Sequence, residues 1–142
     1  MQLTMSGDYA LRAMMALASD GDTQLLHIGD ISRNWKIPEK FLRKIVPRLV
    51  RAGFVETARG IGGGIRLLVP AKSITALDIL ESVEGQLYLD RCVINGDRCD
   101  RISFCAMHTL WQEARESLRA VLSSRTLSDL VAVEQKRVQV DP

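Results

Sequence analysis

The sequence predicts a mainly α-helical fold with one small β-hairpin: a winged helix-turn-helix followed by a long dimerisation helix. Three observations predict it. Three short helical patterns open the chain, and the third is strongly basic. Two β-type runs then flank a glycine-rich turn, Gly60-Ile61-Gly62-Gly63-Gly64. Later, Leu110, Trp111, Ala114, Leu118, Val121 and Leu122 form an apolar face broader than a small domain can cover alone. A chain of 142 residues with 46% hydrophobic content suffices for one modest core plus such an extension. The expected division is residues 1–72 for the helix-turn-helix and wing, and 73–142 for a cysteine loop and the dimerisation helices.

The first helix is expected over Ser6–Ser19, where Tyr9, Met14, Leu17 and Ala18 share an inner face and Asp20-Gly21-Asp22 ends the run. A second spans Leu26–Trp35, with Asp30 in its first turn complementing the helix dipole and His27 at or beside the cap. The third begins at Pro38, whose fixed φ and missing N–H suit a first helical position, and Gly53 closes it. Its apolar stripe is Phe41, Leu42, Ile45, Leu49 and Val50. Pro47 lies inside this helix, so a bend or break is expected near Val46.

Phe54–Arg59 and Ile65–Val69 read as the strands of the hairpin. The glycines between them lack the Lys-Ser/Thr of a phosphate-binding loop, and no helix follows directly. Thr75-Ala76-Leu77-Asp78 has the form of a capping box for a helix ending near Gly85. Asp90–Phe104 is polar and without period, hence a loop. A long helix follows from about Cys105 to Ser123, then a short one over Leu127–Val133 and a polar tail. No apolar run is long enough for a membrane span or shaped as a signal peptide, so a soluble cytoplasmic protein without membrane association is expected.

Charge points to a polyanionic partner. Arg33–Arg66 holds nine basic residues against Glu39 and Glu56, a local +7 that leaves −5 for the rest of a chain whose total is +2. Double-stranded DNA is the simplest partner for a basic helix followed by an arginine-bearing hairpin. The expected contacts are Lys36, Lys40, Arg43, Lys44, Arg59 and Arg66, with Arg48 and Arg51 partly turned away from DNA. A long helix paired with its copy in a homodimer would set two recognition helices on a palindromic site. Trp111 belongs to that packing.

Cys92, Cys99 and Cys105 cluster within fourteen residues, separated by gaps of six and five. Structural disulfides are not expected in a cytoplasmic protein, and three thiols cannot all pair within one chain. Zinc sites usually contain a tighter pair, whereas loose spacing on a polar loop suits a larger object such as an iron–sulfur cluster. Arg91, Asp97, Arg98, Asp100 and Arg101 crowd the cysteines and oppose a core role. Residue chemistry leaves metal or cluster binding and thiol redox sensing both open. A fourth ligand must come from elsewhere; His108 follows Cys105 by three residues on one helical face. An electron carrier or oxidoreductase is disfavoured by the absence of a dinucleotide fingerprint, a catalytic pair or a second cysteine set, so no enzyme activity is expected.

Leu3-Thr4, Asp8-Tyr9-Ala10-Leu11-Arg12-Ala13, Phe41-Leu42-Arg43-Lys44-Ile45, Ala52-Gly53-Phe54-Val55, Arg59-Gly60-Ile61-Gly62-Gly63-Gly64 and the three cysteines with Cys-x2-His together resemble the IscR/NsrR/RirA family of bacterial winged-helix regulators. The resemblance spans nearly the whole chain. It implies a homodimeric transcription regulator, expected to be a repressor, on palindromic promoter DNA. Cys92, Cys99 and Cys105 would hold a 2Fe–2S or 4Fe–4S cluster responsive to iron, oxidants or nitric oxide. His108 matches the fourth ligand of the cluster-assembly branch and Asp8 that of the nitric-oxide branch. The first cysteine gap is one residue longer than is common in those branches. Asp8-Tyr9 and Gly-Gly-Ile-Arg-Leu lean towards nitric-oxide sensing. The alternative is a cluster-free regulator of the same fold acting through thiol oxidation, zinc or a small ligand.

Overall fold

The computed structural model describes residues 4–89 and 99–140. The order is α1 (Met5–Ser19), α2 (Ile28–Trp35), α3 (Glu39–Arg51), β1 (Val55–Ala58), β2 (Gly64–Leu67), a 3-10 turn at Ala71–Ser73, α4 (Ala76–Glu84), α5 (Ala106–Ser123) and α6 (Leu127–Val140). This is a winged helix-turn-helix with further helices behind it. Cys92, Arg91, Asp97 and Arg98, with the rest of the first part (90–98) of the expected Asp90–Phe104 loop, lie outside the described residues.

One core gathers the buried faces. Tyr9, Ala13, Met14 and Leu17 of α1 meet Ile31, Leu42, Ile45 and Leu49 of α2 and α3, with Val55 and Ile65 from the hairpin. Ile79 and Val83 of α4 and Leu127 at the start of α6 join the same core. Apolar residues three and four apart place one stripe of each helix inward, and burying a Leu or Ile contributes about 1.5–3 kcal/mol.

The turn between α2 and α3 is short because Lys36 adopts a left-handed conformation (φ 52°), with its N–H bonded to the Ser32 carbonyl. The Ser32 hydroxyl donates in turn to the Ile37 carbonyl at 2.6 Å. These bonds hold a conformation that otherwise disfavours a side chain, and buried Ile37 pins the turn to the core.

Helix α2 starts at Ile28, two residues later than the sequence suggests. Leu26 instead exchanges both backbone bonds with Ile65 of β2, at 2.9 and 2.8 Å. This bridge ties the wing to the segment ahead of α2. No break occurs in α3 at Pro47. The proline forfeits one intrahelical bond, but Val46 and Leu49 on either side are buried and hold the turn in register. Past its end, Gly53 (φ 80°) donates to Val50 and Phe54 donates to Leu49, both Schellman bonds. β1 and β2 pair antiparallel with Val55 opposite Leu67 and Glu56 opposite Arg66.

The Thr75–Asp78 capping box opens α4 as expected. Helix α6 runs to Val140 rather than stopping near Val133. Thr126 and Asp129 form a reciprocal N-terminal cap, at 2.9 and 3.1 Å, and no glycine or proline interrupts the residues before Pro142. Helix α5 buries no residue, and Met107, Leu110, Trp111 and Val121 stay exposed along it. Among the described residues, no helix is long and apolar enough to cross a membrane.

Candidate nucleic-acid interface and cysteine centre

Helix α3 presents Lys40, Arg43 and Lys44 outward on its polar face, opposite buried Leu42, Ile45 and Leu49. Lys36 stands exposed at the turn just before it, and Arg59 at the wing tip beside a fully exposed Ile61. Lys36, Lys44 and Arg59 form no ion pair among the described residues. Lys40 places its ammonium 5.5 Å from the ring centre of Phe41.

Two of the expected contacts are held by carboxylates. Arg43 pairs with Glu39 one turn back, at 2.6 Å, and Arg66 pairs with Glu56 across the hairpin. Both pairs are exposed, so the carboxylates are cheaply exchanged for phosphate oxygens. Glu39 and Glu56 thus partner two of the candidate contact residues, although sequence reasoning counted them only as charge. Their signals were the i, i+4 spacing and the strand register. Arg48 points elsewhere, and its guanidinium donates to the Val83 carbonyl at the end of α4.

The cysteine centre is described in part. Cys99 is exposed and Cys105 half-buried, and neither is in a disulfide. Cys105 is the N-cap of α5, which places it at the N-terminal end of that helix. His108 is half-buried in the first turn of α5. Asp8 sits exposed in the first turn of α1, bound to Arg12 at 2.8 Å, while Arg12 also covers the Tyr9 ring. Among the described residues, no three His, Cys, Asp or Glu side chains converge to hold an ion. Neither Asp8 nor His108 is therefore brought together with both Cys99 and Cys105 within one chain. Free thiols with an imidazole one turn along from one of them are nonetheless the donor types that iron–sulfur clusters take.

The segment entering the cysteine loop is tied to α5. Arg115 lies over the Tyr88 ring at 4.8 Å, and Arg119 pairs with Glu81 of α4.

Comparisons with known proteins agree with this architecture. The sequence model described as "Rrf2: Iron-dependent Transcriptional regulator" matches residues 3–133. The HTH-type transcriptional regulator NsrR of Bacillus subtilis (strain 168) is 34% identical over 132 residues, covering 92% of this chain and 90% of its own. Among solved structures, CymR, the global cysteine regulator of B. subtilis, superposes with a TM-score of 0.78 at 28% identity, covering 94% of this chain and 98% of its own. T. potens IscR superposes equally well, with a TM-score of 0.78 at 25% identity and 96% and 90% coverage.

Proposed function

The chain belongs to the Rrf2 family of transcription regulators, and from that premise we propose that it is an iron–sulfur-controlled regulator of promoter DNA. It binds DNA as a homodimer through α3 and the wing, and Cys92, Cys99 and Cys105 hold the cluster. The observation that carries this reading is the position of Cys105 at the N-terminus of α5, with His108 one turn along and free Cys99 six residues earlier in the chain. A packing role does not account for Cys99, which is exposed beside Asp100 and Arg101.

Each part of the chain contributes to this scheme. Lys36, Lys40, Lys44 and Arg59 neutralise phosphates, while Arg43 and Arg66 contact DNA with their charge offset by Glu39 and Glu56 and so add no net neutralisation. The exposed face of α5 packs against α5 of a second copy, which fixes the spacing of the two α3 helices on a palindrome. Residues 1–72 thereby read DNA and 73–142 sense and dimerise. A bound cluster supplies irons that iron limitation, oxidants or nitric oxide remove or modify. The protein's contribution is to present thiolates and to couple their loop to α3.

The fourth ligand is His108 or Asp8. Asp8 serves only by exchanging Arg12 for iron. Visible absorption of anaerobically purified Asp8→Ala and His108→Ala decides between them: the ligand's loss changes the spectrum, and two unchanged spectra contradict both assignments. A second reading, regulation by thiol oxidation, is favoured by the exposure of Cys99 and by the solved oxidized form of Staphylococcus aureus CymR, 29% identical to this chain. It predicts protein without iron or sulfide and DNA affinity set by oxidant alone.

A further inference from the structure

Two residues stand where helix physics disfavours them. Glu84 is a carboxylate in the last turn of α4, at the negative end of that helix dipole. Gly7 lies inside the first turn of α1, although glycine is a weaker helix former than alanine. The structure explains each by the other. A Glu84 carboxylate oxygen accepts the Gly7 N–H at 2.8 Å and the Thr4 hydroxyl. Thr4 is the N-cap of α1 but makes no capping bond with its own side chain. Glu84 supplies the cap instead, from 77 residues away. A Cβ at position 7 would stand 2.9 Å from that oxygen and 3.0 Å from a Leu80 methyl, so a larger residue there displaces the Glu84 carboxylate from its bond.

The same turn of α4 carries two more ties. The Val83 carbonyl accepts the Arg48 guanidinium from α3, and Glu81 pairs with Arg119 of α5. Residues 81, 83 and 84 thus hold α5, α3 and α1 respectively, and Gly85 opens the segment that leads to the cysteines. That segment is anchored again through Tyr88 on Arg115, and it ends at Cys105, the cap of α5.

We propose that the last turn of α4 is the junction through which the state of the cysteine loop sets the positions of α1 and α3, with Glu84 as its positioning residue. The proposal rests on the reading that this loop controls DNA binding. A pull on the loop acts on α4 at Gly85 and on α5 at Cys105. Because Glu84 and Val83 are adjacent, displacement of that turn shifts the α1 cap and the Arg48 tether together.

The test compares wild type with Glu84→Ala, Glu84→Gln and Gly7→Ala. Each is prepared iron-free and thiol-reduced, and again after reconstitution with iron and sulfide. The probe is a duplex selected from a random library by the wild-type protein. The readout is the ratio of DNA affinities between the two forms, with hydrogen exchange at the Gly7 amide in the iron-free form. Coupling between sites in regulators typically gives a ratio of about 5- to 150-fold. Glu84→Ala and Gly7→Ala bring the ratio below about twofold and speed exchange at the start of α1. Glu84→Gln keeps an acceptor oxygen and restores most of the ratio. A loss of fold would lower affinity in both forms, and circular dichroism reads it independently. A wild-type ratio carried unchanged by Glu84→Ala and Gly7→Ala overturns the junction alone. A wild-type ratio near one overturns the parent reading, and the junction with it.

Discussion

Removing two lysines from α3 should halve the salt dependence of DNA binding. Each phosphate neutralised on B-DNA adds about −0.9 to the slope of log affinity against log salt. Lys36, Lys40, Lys44 and Arg59 are exposed and bound to no carboxylate among the described residues. Two copies of these four predict a slope near −7, or a loss of about 10⁴-fold in affinity between 50 and 200 mM salt. The double variant Lys40→Ala/Lys44→Ala lowers the slope to about −4. Its fold is spared, since exposed substitutions usually cost within about 0.5 kcal/mol and the Lys40–Phe41 contact adds at most about 1. Glu39→Gln with Glu56→Gln acts oppositely, freeing Arg43 and Arg66 and steepening the slope towards about −11. Fluorescence anisotropy of a labelled duplex, titrated across a potassium chloride series, measures all three. A wild-type slope shallower than about −2 refutes phosphate neutralisation by these side chains. A slope untouched by the double variant refutes their placement on DNA.

Leu110→Glu with Val121→Glu converts the dimer to monomer in sedimentation velocity while leaving monomer stability within about 0.5 kcal/mol, because both side chains are already exposed in one chain; a variant that stays dimeric contradicts packing through α5. The Asp129 carboxyl is held below its ordinary 3.8 first by the Thr126 N–H and then by the Thr126 hydroxyl. A depressed folded-state value means that this cap stabilises α6 above the unfolded pKa and loses its effect as pH falls through the folded one. The thermal-midpoint gap between wild type and Asp129→Asn is therefore full near pH 6 and narrows on acidification below about pH 4, whereas a constant gap contradicts the ionised cap.

What the sequence made legible follows from how local each cause is. The stripe Leu42, Ile45 and Leu49 and the punctuation of Pro38 and Gly53 act within one helix, so α3 was readable to within a residue. The capping box at Thr75 and Asp78 was readable for the same reason. Leu26 was misplaced into α2 because its partner, Ile65, lies across the fold, and a bridge of that kind leaves no local pattern. Pro47 pointed to a break that neighbouring buried residues prevent. The polar composition of residues 134–140 suggested a tail, yet α6 continues through it from a well-formed cap.

The interface and the centre differ in the same way. Its basic residues were identifiable from charge, and Glu39 four residues before Arg43 was a readable partner that charge counting passed over. Arg48 resembled a solubilising residue because only the tertiary fold brings it to Val83. Glu84 and Gly7 carried a signal in hindsight. Each breaks a helix rule in isolation, and the two violations cancel only when α1 and α4 are packed.

The central claim, cluster control through the cysteines, is tested most directly by iron and acid-labile sulfide analysis with visible absorption on protein purified without oxygen. The account predicts a coloured protein with stoichiometric iron and sulfide, both lost on substituting Cys99 or Cys105 by alanine. A colourless, iron-free preparation whose DNA affinity responds only to thiol oxidants would contradict it.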